Sequence, residues 1–134
     1  MSPELENKLY EEFPSLFANR EIPQSPMAFG CEHGDGWHGI LRCACRRISF
    51  HEANAGRSDF RFAQVKEKWG TLRLYYSGGD EFDMGVIAMA EAMSAVTCER
   101  CGAPGKTNES GWLSTLCEGC RNSLPASQTK DREG

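Results

Sequence analysis

Ala63-Gln64-Val65-Lys66-Glu67-Lys68-Trp69-Gly70-Thr71-Leu72-Arg73-Leu74-Tyr75-Tyr76 is the stretch on which the fold turns. Ala63, Val65, Glu67 and Trp69 alternate with Gln64, Lys66 and Lys68; after Gly70, Leu72, Leu74 and Tyr76 alternate with Thr71, Arg73 and Tyr75. A period of two belongs to a strand, whose successive side chains point to opposite faces. A two-residue turn at Trp69-Gly70 pairs Val65 with Leu74, Ala63 with Tyr76, Lys66 with Arg73 and Gln64 with Tyr75. That register gathers apolar side chains on one face and Gln64, Lys66, Lys68, Arg73 and Tyr75 on the other. One more residue in the loop would set Lys66 opposite Leu74 and mix the faces.

Downstream, Ser77-Gly78-Gly79 ends the hairpin. Asp80 is placed to cap a helix, with Glu81 and Asp83 complementing the dipole of its first turn. Phe82, Val86, Met89, Met93 and Val96 recur at helical spacing and are expected to form its buried stripe. The helix leads into Cys98-Glu99-Arg100-Cys101-Gly102, and fifteen residues separate Cys101 from Cys117-Glu118-Gly119-Cys120. Two residues between thiolates let both sulfurs face one ion, and Gly102 permits the tight turn that follows. The spacing fits the C-x2-C…C-x2-C zinc pattern. Four sulfurs close a tetrahedral shell with no open position, so the expected group is one structural Zn²⁺ held by Cys98, Cys101, Cys117 and Cys120. Pro125 follows too closely for a long helix after the second pair, which points to a zinc ribbon or truncated treble clef.

Upstream, Ser2 and Pro3 start a helix whose apolar residues Leu5, Leu9 and Phe13 precede Pro14. Residues 19–36, rich in proline and glycine, read as a loop. From Gly36 a second helix puts Trp37, Ile40, Leu41, Ala44 and Ile48 on one face and Arg42, Arg46 and Arg47 off it; Glu52–Asp59 reads as a polar connector. The expected class is α+β, with about three helices on the apolar face of a short antiparallel hairpin, closed by the zinc knuckles. The expected organisation is a core over 1–97, a knuckle pair over 98–121 and a disordered tail over 122–134.

Seven cysteines, an odd number, argue against a complete disulfide framework. Met1-Ser2-Pro3-Glu4 has neither a basic nor an apolar leader segment, and a cytoplasmic location is the expectation. The net charge of −4 argues against indiscriminate DNA binding. The charge is uneven, however: Arg42 to Arg73 holds eight Lys/Arg and three Asp/Glu, whereas Asp80 to Glu91 holds four acids and no base. Lys66 opposite Arg73 sets like charges together, a repulsion that an anion would relieve. Gln64, Lys66, Lys68, Arg73 and Tyr75 are therefore the candidate binding face, with Arg42, Arg46 and Arg47 as extensions.

A second cluster is Cys31, His33, Asp35 and His38, with Cys43 and Cys45 downstream. It reads either as a metal or catalytic site or as a glycine-rich turn that starts the second helix, with Asp35 or Gly36 as cap and Trp37 as anchor. Cys43 and Cys45 are about 200° apart on a helix and cannot face one ion. No phosphate-binding glycine loop, nucleophile elbow or H-E-x-x-H occurs. A His-metal nuclease would need histidines near the knuckles, and His33, His38 and His51 all precede them.

Gly34-Asp35-Gly36-Trp37, Gln64 through Tyr75, and Ala90-Glu91-Ala92-Met93-Ser94 leading to Cys98-Glu99-Arg100-Cys101-Gly102 together resemble a group of small bacteriophage- and prophage-encoded proteins. These share a GDGW turn, a KEK-aromatic-GTLR hairpin and a C-terminal cysteine knuckle. The resemblance implies expression in a bacterial cytoplasm and is silent on activity. In that pattern a cysteine stands just before the turn, where this chain has His33, and Cys31 is displaced by two. The residues favour a non-catalytic binding module contacting nucleic acid or a protein through the basic hairpin face; the resemblance to phage proteins implies that such a partner would be a host protein, such as a defence complex. The alternatives are an enzyme or nucleotide-binding site at Cys31, His33, Asp35 and His38, and an assembly role through an oligomer interface.

Overall fold

The structure, a computed structural model, describes residues 1–124. The expected tail therefore lies, from residue 125 on, outside the described residues. The fold is α+β, with several helices and two small sheets.

Helix α1 (Pro3–Glu12) begins where Ser2 Oγ accepts the Leu5 N–H and ends just before Pro14, burying Leu9. The segment expected as loop contains two 3-10 turns, Ala18–Glu21 and Pro26–Phe29, and a two-residue strand β1 (Cys31–Glu32). A strand that short has no periodicity to read. It pairs in parallel with β2 (Arg61–Lys68), which pairs antiparallel with β3 (Thr71–Ser77), so the sheet has three strands rather than the two of a hairpin.

Three expected pairs are present, Val65 with Leu74, Lys66 with Arg73 and Gln64 with Tyr75. The fourth is corrected: Phe62, not Ala63, pairs with Tyr76, and Ala63 is the extra residue of a β-bulge. Strict alternation would turn Phe62 outward beside Gln64 and Lys66. The bulge turns it into the core, where it stacks on Phe17 and meets Phe60 edge-on, both with ring centroids at 4.9 Å. Burying such a ring is worth about 2 kcal/mol, which offsets one irregular step in the ladder. At the tip, Trp69 (φ 54°) and Gly70 (φ 86°) are both left-handed, as a type I′ turn requires.

Helix α2 (His38–Ala55) is longer than expected. Residues 52–55 continue it because Glu52 turns inward and accepts the Phe60 N–H at 3.0 Å; Gly56, left-handed, stops it. Its core face carries Leu41, Ala44, Cys45 and Ile48. Helix α3 (Glu81–Ser94) opens with a capping box between Asp80 and Asp83.

The stripe expected to be buried on α3 is corrected. Its core face is Asp83, Ile87, Ala90 and Ser94, while Phe82, Met89, Met93 and Val96 are exposed. The physical reason is the open edge of β3. Ser94 Oγ accepts the Leu72 N–H at 2.9 Å and Glu91 Oε2 accepts the Leu74 N–H at 2.8 Å. Unpaired strand-edge donors are costly when buried. Satisfying them turns the polar side of α3 inward and its large apolar side outward.

Candidate metal centre and hairpin face

The C-terminal unit is built from a small hairpin, β4 (Lys106–Thr107) with β5 (Thr115–Leu116), and helix α4 (Glu118–Asn122). Before it, Cys98 donates its N–H to Ala103 O at 2.7 Å and accepts the Gly102 N–H on its carbonyl at 2.9 Å. This tight turn needs the left-handed Gly102 (φ 81°). Cys117 caps α4, its Sγ accepting the Cys120 N–H at 3.4 Å.

The sulfurs of Cys98, Cys101, Cys117 and Cys120 all lie within 4.8 Å of one another, and those of Cys101 and Cys117 are 3.7 Å apart. A tetrahedron of thiolates at about 2.3 Å from a zinc ion has edges of about 3.8 Å. The four cysteines thus form a cluster whose size and donor chemistry fit a metal ion. Burial pushes the Cys98 thiol up, but N–H groups of Cys117, Cys101 and Arg100 outweigh it and bring the thiol down to about 6. Contacts with Cys117, Cys101 and Cys98 push Cys120 up to about 12.

The cluster is clamped to the rest of the fold at three places. Glu99, between the first two sulfurs, accepts the Gly36 N–H on its carbonyl (2.7 Å) and the Gly34 N–H on Oε2 (2.9 Å). Trp37 is fully buried and donates Nε1–H to Thr97 O at 2.8 Å. A Cβ on Gly36 would overlap the Cys98 carbonyl oxygen and come to 2.6 Å from the Glu99 carbonyl; one on Gly34 would come to 2.9 Å from Glu99 Cγ. The Gly-Asp-Gly-Trp segment is therefore a seat for the first knuckle. At the second place, Thr115 Oγ1 donates to Gly70 O at 2.5 Å, tying β5 to the hairpin tip. At the third, the Gly105 N–H donates to Val96 O at 2.8 Å. Nothing adjacent to Glu99 in the chain signals this role; the pair of glycines flanking Asp35 marks a close backbone approach without naming the partner.

Cys31, His33, Asp35 and His38 are neighbours in the chain, yet no three of them bring ligand atoms within 4.8 Å of one another. Cys31 is buried in β1, where burial pushes its thiol up to about 12 and keeps it protonated. His33 is buried with Nδ1 2.8 Å from Gly34 O, and burial pulls its ring down to about 4. Asp35 accepts the Ser2 N–H at 2.7 Å, and His38 starts α2. Cys43 is exposed and Cys45 buried, on different sides of the helix.

A further grouping within metal-ligand distance is His51, Asp80 and Asp83. There the place of a cation is taken by Arg57, whose guanidinium bonds Asp83 at 2.8 Å, Asp80 at 3.3 Å and Asp59 at 2.6 Å. The His51 bond to Asp80 (2.7 Å), with Arg57 beside it, holds that carboxyl down at about 2. This network fastens the end of α2 to the start of α3.

The solvent side of the sheet carries Gln64, Lys66, Lys68, Arg73 and Tyr75. Lys66 stands between Arg73 on β3 and Glu32 on β1, both directly in register. Among the described residues, Lys66, Lys68 and Arg73 form no salt bridge. Arg73 Nε donates to Thr71 Oγ1 (3.1 Å), and Lys68 Nζ lies 4.7 Å over the Trp69 ring. Trp69 is 65% exposed and Trp112, on the β4–β5 loop, 66%. With Glu67, Gly111 and Leu113 they line a cleft of about 500 Å³. The α2 arginines stand apart: Arg42 makes a two-pronged bond to Glu12 (2.9 Å each), Arg46 is exposed, and Arg47 lies over the rings of Phe50 and Phe82. No protein-family model, curated protein or solved structure matches this chain.

Proposed function

We propose that this chain is a non-catalytic binding module, stabilised by one Zn²⁺ at Cys98, Cys101, Cys117 and Cys120, that binds single-stranded nucleic acid through its basic hairpin face. The zinc closes the C-terminal unit, which has too few apolar side chains to fold by burial; structural zinc in such small units contributes about 10–16 kcal/mol of apparent binding energy. The observation that carries the ligand is the hairpin register. It aligns Lys66 and Arg73 and leaves them, with Lys68, without a salt-bridge partner among the described residues. A phosphate backbone supplies the missing charge.

Trp69 supports the same reading. A bulky residue in a left-handed turn costs about 1–2 kcal/mol, and this one buries little in return. Its exposed ring, lining one cleft with Trp112 and next to Lys68, gives bases a surface to stack on at about 1–3 kcal/mol each. Expression from a phage genome, which the GDGW resemblance suggests, would place the encounter in a bacterial cytoplasm. An acidic host protein is the competing partner for the same face.

Fluorescence anisotropy with a labelled oligothymidine of about fifteen nucleotides tests the reading. Binding that weakens steeply with salt, and at least tenfold on Lys66→Glu or Arg73→Glu, is expected. Binding unchanged by both substitutions would remove the hairpin face from the reading, and absence of binding at low salt would turn it to a protein partner.

A further inference from the structure

The groove between α2 and α3 is a separate feature that the hairpin reading leaves unused. It encloses about 1030 Å³ and is lined along its length by Ile40, Cys43, Ala44, Val86, Met89 and Met93. The two helices run antiparallel: His51 stacks on Phe82 at 4.2 Å at one end, and Trp37 bonds Thr97 at the other. Phe50, Phe82, Met89, Met93 and Val96 on and beside it are 40–62% exposed. Side chains of about 200 Å² each at that exposure present roughly 500 Å² of apolar surface, near the upper limit for one patch on a monomer.

We infer that this groove is a homodimer interface, in which a second copy of the chain packs its α2–α3 face antiparallel onto the first across a two-fold axis. Three observations select this occupant. First, the ends of the groove carry complementary charges on the same helix: Arg47 towards one end and Asp35, just before α2, at the other. A two-fold axis through the middle swaps the ends and sets α2 against the second copy's α2, so Arg47 meets the second copy's Asp35. Arg47 has no salt bridge among the described residues; its guanidinium lies only over ring faces, 5.6 Å from Phe50 and 5.8 Å from Phe82. Second, the size suits a dimer. The apolar patch of roughly 500 Å² makes up the larger part of the roughly 800 Å² per partner of a stable interface, and Met89, at the middle of α3 and 62% exposed, is a knob that a facing groove can take. Third, the chain's own last residues, Pro125-Ala-Ser-Gln-Thr-Lys-Asp-Arg-Glu-Gly, offer no large apolar side chain to fill the groove.

Sedimentation velocity on the full zinc-loaded chain between about 1 and 100 μM, a range that brackets ordinary dimer affinities, tests this. The native chain is expected to reach twice its 14.9 kDa mass. Met89→Asp, at a site too exposed to unfold the domain, is expected to remain monomeric with an unchanged circular-dichroism spectrum. Arg47→Asp and Asp35→Arg are each expected to raise the dissociation constant at least tenfold, and the double swap to restore it. A native chain monomeric throughout, including one whose groove takes an amphipathic helix of another protein instead, would overturn the inference. A dimer indifferent to Met89→Asp would also overturn it, and failure of the double swap to restore affinity would overturn the antiparallel arrangement.

Discussion

Gly36→Ala isolates the clamp between the Gly-Asp-Gly-Trp turn and the first knuckle. Gly36 lies in the 3-10 turn Asp35–Trp37 that leads into α2, where local preference alone favours alanine by up to about 1 kcal/mol. The clamp predicts the opposite sign. The added Cβ would overlap the Cys98 carbonyl oxygen and lie 2.6 Å from the Glu99 carbonyl, contacts with backbone that cannot swing aside. Relieving such overlap costs about 1–3 kcal/mol. Moving Glu99 away lengthens its bonds to the Gly36 and Gly34 N–H groups, at about 1 kcal/mol each. Set against the propensity gain, a net loss of about 3 kcal/mol is expected, which lowers the melting temperature by roughly 10 °C. Because the displaced carbonyl belongs to a candidate ligand, metal release to a chelator should also accelerate. Gly39→Ala is the control: nothing lies within 4 Å of its Cβ position, so it should stabilise by about 0.5–1 kcal/mol. Thermal denaturation of both variants with a chelator-competition assay decides the matter. A Gly36→Ala protein as stable as Gly39→Ala, with unchanged metal release, would refute the clamp.

Other expectations follow from particular contacts. Ser94→Ala removes the acceptor for the buried Leu72 N–H and should cost about 1–3 kcal/mol in chemical denaturation. Trp69→Asn suits a left-handed turn position better, so it should raise stability by about 1 kcal/mol while weakening oligonucleotide binding. His33 is held down at about 4 by burial, below its ordinary 6.5. As pH falls from 6.5 to 4 the unfolded chain takes up a proton that the folded chain refuses, so stability present above pH 6.5 is lost on acidification, up to about 3 kcal/mol. His33→Gln should therefore show a shallower loss across that window. An equal slope would place the acid sensitivity elsewhere.

Much of the fold was legible because its signals are local. The hairpin's alternation, the Trp69-Gly70 turn, the Asp80 cap and the cysteine spacing each follow from a few adjacent residues. What the sequence hid depends on partners far away in the chain. The bulge at Ala63 exists because Phe17 and Phe60 receive Phe62. The rotation of α3 is set by the donors of Leu72 and Leu74, a demand that no helical period records. Hence Phe82, Met89 and Met93, core residues by helical spacing alone, lie outside the core. At the candidate metal site the four cysteines were legible and Glu99 was not. At the hairpin, the basic face could be read from the register, but the exposure of Trp69 and Trp112 beside one cleft required the β4–β5 loop to be placed against the tip. The Cys31, His33, Asp35 and His38 cluster illustrates the converse. Density of reactive residues along the chain suggests a site, yet the structure spreads them among strand β1, the 3-10 turn that holds Asp35 and the start of α2, which is capped by Trp37 rather than by Asp35 or Gly36.

Metal content of the purified chain, counted by elemental analysis and by mass spectrometry under non-denaturing conditions, tests the central claim most directly. One zinc per chain, lost together with the folded signal of the C-terminal unit in Cys117→Ser, is the predicted result. A native protein that is folded without zinc, or one that keeps its zinc after Cys117→Ser, would contradict it.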